Sequence, residues 1–342
     1  MTKASKIRIL LIVPSLIVGI ALLFFLLHKS PTKIVMPKVE QGKKVNFLVL
    51  RNKWEEIIKN AVDEKKLYND FKRSVSGMSV SDAHFSAHIF GELLFDRWGE
   101  RAILICDIAY EYGCYHGVAV EAISRKGTSV VPNFIQACKQ LANSNSNNLV
   151  SPCVHGIGHG LVEFFGHHED KLLTSLKACT TNELLINRTC YSGVFMEYNV
   201  PILVADTKVS VSTRPLIVGK EYAPCLTIPQ AYQPACYEQI SQWWPGFFNN
   251  DIAKVGELCS KVELDENKLS CYRGIGDFIA MRSSFRGINV KVKCERISSE
   301  EGQFQCKDEA FGVLFYHPQK PVDIGRICNG LPKDKKEICL DS

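Results

Sequence analysis

Apolar residues are distributed along this chain in two regimes. Residues 9–27, ILLIVPSLIVGIALLFFLL, form one continuous run without a charge, long enough to cross about 30 Å of hydrocarbon as a single helix. Beyond residue 46 the apolar positions instead recur every three or four residues, the rhythm of helices with one buried face. Most of them belong to one recurring phrase: CYHGVAVEA from 114, CVHGIGHGLVEF from 153, CYSGVFMEY from 190, CYEQISQWW from 236, CYRGIGDFIA from 271 and CKDEAFGVLF from 306. Each opens on a cysteine, often followed by an aromatic, a polar residue and a glycine, and then continues as an amphipathic run. Successive starts, continued to Cys339, lie between 33 and 46 residues apart. Such a period belongs to stacked two-helix units. The expected fold class is therefore all-α: an N-terminal transmembrane helix, then disulfide-stapled αα-hairpin repeats in a solenoid or toroid.

Two stretches depart from the phrase. DAHFSAHIFGELLFDRW (82–98) keeps the helical rhythm but has Asp82 where the cysteine would stand. Residues 199–224 read as an insertion whose alternating ILVA and KVSVS are strand-like, either an extended hairpin or flap or an ordinary long loop. Ahead of the repeats, residues 54–73 read as a charged capping or stalk helix, and LANSNSNNLVSP (141–152) as a polar connection.

The 14 cysteines all follow the apolar run and fall into seven successive pairs: Cys106/Cys114, Cys138/Cys153, Cys179/Cys190, Cys225/Cys236, Cys259/Cys271, Cys294/Cys306 and Cys328/Cys339. An even count at regular spacing, with no CxxC, predicts disulfides rather than a zinc knuckle or a redox motif. Reduced cysteines packed as small core residues are the other reading. A bridge in each pair staples the end of one helix to the start of the next, worth roughly 2–3 kcal/mol per short loop. Glycines recur three residues after the cysteine (Gly117, Gly156, Gly193, Gly274), despite a cost of about 1 kcal/mol inside a helix. Their recurrence predicts a close approach of helices there.

Charge removes one class of function. The net charge is +5, yet eight of the 41 Lys and Arg lie within residues 1–45 against the single acid Glu40, so the remainder is close to neutral. A phosphate-tracking surface, and with it a nucleic-acid partner, is not implied. Residues 1–8 then read as a cytoplasmic tail, 9–27 as an uncleaved signal anchor, 28–45 as a basic linker and 46–342 as an extracytoplasmic domain. A cleaved signal peptide is the rival for 9–27. Basic residues flank that run on both sides, so it is the expected disulfides that place the large domain outside the cytoplasm of a single-pass membrane protein.

Candidate chemistry resides in the histidines. Of nine, five fall within the first three helix phrases. His84-x3-His88-x3-Glu92 and His155-x3-His159-x3-Glu163 share one spacing, which puts two imidazoles and a carboxylate in a row on one helical face. His116 stands in the register of His155, with Glu121 one turn on; the next phrase has Ser192 and Glu197, and later ones have Glu238, Arg273 and Asp308. The cysteines recur to the end of the chain while the histidines do not, so generic packing does not account for them. His84, His88, Glu92, His116, His155 and His159 are candidate ligands of a divalent metal, with Glu121 and Glu163 as candidate catalytic bases. Nitrogen and carboxylate donors without thiolate suit zinc or iron. Histidine–glutamate hydrogen-bond ladders closing the repeat interface are the alternative. His28 and His317 receive no role, and His167 and His168 read as a solvated helix end.

Familiar enzyme motifs are missing. HGIGH at 155–159 has Gly156 where the glutamate of H-E-x-x-H would stand, and no phosphate loop, G-x-S-x-G elbow or uncommitted cysteine nucleophile occurs. Two functions stay open: a metal-dependent hydrolase or oxidase, and a non-catalytic scaffold binding peptide or protein through patches such as Trp243-Trp244-Pro-Gly-Phe-Phe. The phrases HFSAHIFGE, CYHG, CVHGIGHG and CYSGVFMEYN resemble a group of bacterial single-pass membrane proteins with Cys/His helical repeats, over roughly residues 80–200. That resemblance implies the membrane tether and the repeats but no activity. The layout is also similar to Sel1-like repeats, without their cysteine spacing.

Overall fold

The computed structural model describes residues 46–141, 150–200, 214–282 and 290–316. Among them all regular structure is helical, and six disulfides link the helices. Ahead of the repeats stand α1 (Phe47–Lys59) and α2 (Glu64–Val75). The expected single helix over 54–73 is thus two, because Asp63 starts a new one by accepting the Lys66 N–H at its N-terminus. α1 buries Leu50, Trp54 and Ile58, one face at helical spacing. Trp54 meets Phe71 edge-on at 5.2 Å, and Phe71 stacks on Phe90 of the next helix at 4.1 Å, which fastens both helices to the repeats.

Seven longer helices follow one another as a stack: α3 (Val80–Trp98), α4 (Gly113–Lys126), α6 (Val150–Phe165), α8 (Leu184–Asn199), α9 (Gln233–Trp243), α11 (Asp265–Arg282) and α13 (Glu300–Tyr316). Each packs chiefly on the one before and the one after it. The short helices α5 (Val131–Gln140), α7 (Glu169–Ala178), α10 (Ile252–Ser260) and α12 (Val290–Cys294) lie beside the long helix that follows them. Bridges Cys106–Cys114, Cys138–Cys153, Cys179–Cys190, Cys225–Cys236, Cys259–Cys271 and Cys294–Cys306 form as expected. The seventh pair, Cys328/Cys339, lies outside the described residues. Helix starts differ from expectation. α8, α11 and α13 begin well before their cysteines, and α6 begins at Val150, inside the stretch read as a polar connection. The bridge therefore grips the first or second turn of the helix rather than its end.

The glycines explain how close the stack is. A Cβ on Gly117 would collide with the His88 carbonyl oxygen, on Gly193 with that of His155, and on Gly274 with that of Glu238. From the facing side, Gly91, Gly158 and Gly276 would collide with the carbonyl oxygens of Cys114, Cys190 and Cys306. Backbone meets backbone at these points, and only glycine fits.

Two sequence expectations change. The single-pass membrane placement is corrected: no described helix is long and apolar enough to cross a membrane, and residues 9–27, which prompted it, lie outside the described residues together with the tail and linker. The disulfides themselves belong to an oxidising compartment. Of the 199–224 insertion, residues 214–224 are coil and turn and 201–213 lie outside the described residues, so no strand is described there. Arg214 sits 4.0 Å over the Trp243 ring and donates to Asn199 and to the Ala223 carbonyl. Trp243 and Trp244 are buried core rather than an exposed patch.

Candidate metal centre

Helices α3, α4 and α6 each contribute imidazoles from the register that faces the neighbouring helix. His84 and His88 come from α3, His116 from α4, and His155 and His159 from α6. Their nitrogens gather into two groups that share one ring, His84–His88–His116 and His116–His155–His159, with one donor atom per residue within 4.8 Å of the others. The two histidine rows therefore meet, with His116 between them. His88, His116 and His159 are 0%, 3% and 0% exposed and His84 is 8% exposed, so four of the rings are shut away from water. His155 is half-buried and marks the more open side.

The hydrogen bonds leave nitrogens stranded. His84 Nδ1 lies 2.8 Å from the Tyr110 carbonyl oxygen; a carbonyl only accepts, so Nδ1 carries the proton and a neutral ring leaves Nε2 bare. That carbonyl is aimed by Tyr110, Glu111 and Tyr112, with φ of 54°, 52° and 64°. Three consecutive left-handed residues without a glycine are a strained arrangement, and this one borders the histidines. His88 Nε2 then faces both His84 Nε2 at 3.0 Å and His116 Nδ1 at 3.2 Å. It cannot serve both. With its proton on Nε2 it satisfies one neighbour; with the proton on Nδ1, that proton is buried without an acceptor, since Nδ1 has no partner. His116 Nε2 and His159 Nε2 are likewise buried without a hydrogen-bond partner.

Burial holds these rings neutral. It lowers the pKa of His88 and His116 well below the ordinary value, with neighbouring histidines adding to the effect, and lowers those of His84, His155 and His159 in the same direction. A neutral imidazole is the form that binds a metal. His159 Nδ1 lies 2.7 Å from Glu197 Oε2, so a carboxylate takes the proton on one side of the ring and leaves Nε2 turned to its neighbours. This is how carboxylates orient metal-ligating histidines.

A third group adjoins the second. Glu163, His167 and Glu197 bring donor atoms together, with His167 Nε2 at 3.2 Å from a carboxylate oxygen of each glutamate. Burial works against the His167 cation, but the two carboxylates outweigh it and lift its pKa to about 9. Burial also raises the pKa of Glu163.

The other two predicted carboxylates go elsewhere. Glu92 ion-pairs with Arg51 of α1, and Glu121 with Arg125 on its own helix, so neither joins a histidine group. Sequence reasoning passed over Glu197 and read His167 as solvated. The available signal was that Glu197 stands seven residues after Cys190, as Glu121 does after Cys114. His168 is exposed, as expected of a helix end.

Comparison with known family models, curated proteins and solved structures found no match.

Proposed function

We propose that this chain is a metalloprotein of an oxidising compartment, which holds a transition metal on the buried imidazoles of an αα-hairpin solenoid. The supporting observation is the convergence of unprotonated nitrogens. In a tetrahedral site with metal–nitrogen bonds of about 2.0–2.1 Å, ligand nitrogens stand about 3.3 Å apart, and His88 Nε2 lies 3.0 and 3.2 Å from its two histidine neighbours. Without a cation the lone pairs that face one another repel; an ion held by His84 Nε2, His88 Nε2 and His116 Nδ1 would satisfy them, and leaves on His88 a buried Nδ1–H that has no acceptor. Donors of this kind, with every described cysteine bridged, suit zinc or iron.

Such an ion supplies Lewis acidity, or one-electron chemistry if it is iron. The chain's own contribution is to orient His159 through Glu197, which also meets His167, and to leave the half-buried His155 as the more open side. That arrangement is compatible with hydrolysis or oxidation at that edge. Elemental analysis of the purified full chain tests the reading. Stoichiometric zinc or iron, lost in His88→Ala and His159→Ala while circular dichroism stays helical, supports it. A folded, metal-free chain that takes up neither ion on dialysis favours hydrogen-bond ladders in a binding scaffold instead.

A further inference from the structure

His116 is the one ring common to both histidine groups, and its two nitrogens have different surroundings. Nδ1 lies 3.2 Å from His88 Nε2, in the first group. Nε2 is fully buried and has no hydrogen-bond partner. The remaining imidazoles around the ring are His159 and His155, with centroids 4.6 and 5.5 Å away, and His159 Nε2 is itself buried and partnerless. Metal-ligating rings usually direct their other N–H to an acceptor, as His84 does toward Tyr110 and His159 toward Glu197, whereas His88 Nδ1 and His116 Nε2 have none. His116 differs from His88 in belonging also to a second group of nitrogen donors, with His155 and His159, and its Cδ2, the atom next to Nε2, is turned toward Gly156 of the helix that carries them.

We infer that His116 bridges two metal ions as an imidazolate, Nδ1 on the ion held by His84 and His88, and Nε2 on the ion held by His155 and His159. This rests on the metal reading above and adds to it that the centre is dinuclear. When the second ion binds, the remaining ring proton of His116 leaves to the buffer, and no oxidant or reductant is required. The surroundings also divide the labour. The first ion would be enclosed, because its three rings are at most 8% exposed. The second faces the half-buried His155 and is backed by Glu197, so it is the one open to a substrate.

Copper(II) is the probe, because two copper ions joined by an imidazolate couple magnetically. The metal-free full chain is titrated with Cu²⁺ and followed by electron paramagnetic resonance. The expected result is two copper ions per chain, with the signal falling as the second site fills and a half-field transition appearing. His116→Ala removes the coupling. His84→Ala leaves one uncoupled copper on the other group, and serves if His116→Ala fails to fold. Two copper ions with simply additive signals overturn the bridge, as does a single copper per chain; both leave the metal reading standing. No copper uptake by a folded chain overturns the metal reading as well.

Discussion

The first repeats and the last are built on the same frame yet differ in what they bury. Two residues after the cysteine, the early helices carry His116, His155 and Ser192, and the later ones Glu238, Arg273 and Asp308. In the later half buried polar atoms find each other. Gln242 donates to Asp277 at 3.1 Å, Arg273 to Gln305 at 3.0 Å, Gln239 to Ser192 at 2.8 Å and Asn267 to Gln233 at 2.8 Å. Among the described residues α11 and α13 leave no buried side-chain nitrogen or oxygen without a hydrogen bond and α9 leaves one, the indole nitrogen of Trp243, whereas α3, α4 and α6 hold three stranded imidazole nitrogens. Buried polar groups are normally satisfied. Single stranded nitrogens occur elsewhere, on Trp54, Arg214 and Trp243, but only here do several gather on imidazoles in contact with one another, which marks a site rather than a cost of the architecture.

This contrast is broken most severely by removing ligands. His88→Ala or His159→Ala should weaken metal binding by more than the roughly 100-fold that outer-shell changes reach, while Asn267→Ala, which removes a buried hydrogen bond to Gln233 in the later repeats, should leave it unchanged. Equilibrium dialysis with zinc measures both. Equal loss in all three variants would mean that metal uptake reports folding alone. Next in size, Gly117→Ala and Gly274→Ala should each cost about 2–3 kcal/mol, since both force a methyl onto a backbone carbonyl. Denaturant titration compares them, and only Gly117→Ala should also impair metal uptake. Glu197→Gln should reduce affinity about 10- to 100-fold without unfolding the chain, because it unsettles the orientation of His159.

Acid should act with opposite sign on the buried histidines and on Glu238. The buried histidines have folded pKa values below the ordinary 6.5. As pH falls below that value the unfolded chain takes up protons that the fold refuses, and metal-free protein loses stability there. Glu238 is pushed up to about 7 by burial and by Glu309, against the pull of Arg188 and Arg273. Between about pH 7 and the ordinary 4.5 the fold binds the proton first, so this group adds stability as pH falls. Hydrogen exchange at pH 5.5 and 8, corrected for intrinsic rates, should show α4 loosening on acidification while α9 and α11 do not; in α6 the gain at His167 and Glu163 opposes the loss at His155 and His159. In Glu238→Gln the acid-side gain of the later half should vanish; its survival would assign the effect to Asp277 or Glu309. The smallest effect concerns Glu121. Its surface pairing with Arg125 is worth about 0.5 kcal/mol, so Glu121→Gln should alter neither metal binding nor stability appreciably.

The fate of the carboxylates shows where reading the sequence stops. Glu92 shares a helical face with His84, but eight residues at 1.5 Å each place it about 12 Å further along the axis, beyond reach of one ion. There it meets Arg51, whose helix has no repeat phrase to announce it. Glu163, at the same offset from His155, is used only because Glu197 and His167 come to it from other elements. Glu121 and Glu197 occupy one register, yet one pairs with an arginine and the other with a histidine. The cause is a slip of one turn. Gly193 of α8 lies against the His155 carbonyl, two residues past its cysteine, whereas Gly117 of α4 lies against the His88 carbonyl, six past Asp82. That slip brings Glu197 level with His159 and carries Glu121 past His88.

Local spacing was enough to determine the helical class, the partners in the six described bridges and the rows of histidine, because each depends on positions a few residues apart and on period, whereas it misplaced several helix starts. What the imidazoles do together was decided in three dimensions. The height at which each helix docks against the next is set by glycine contacts between backbones distant in sequence, and one turn of difference there separates a histidine backed by a carboxylate from one left facing other histidines.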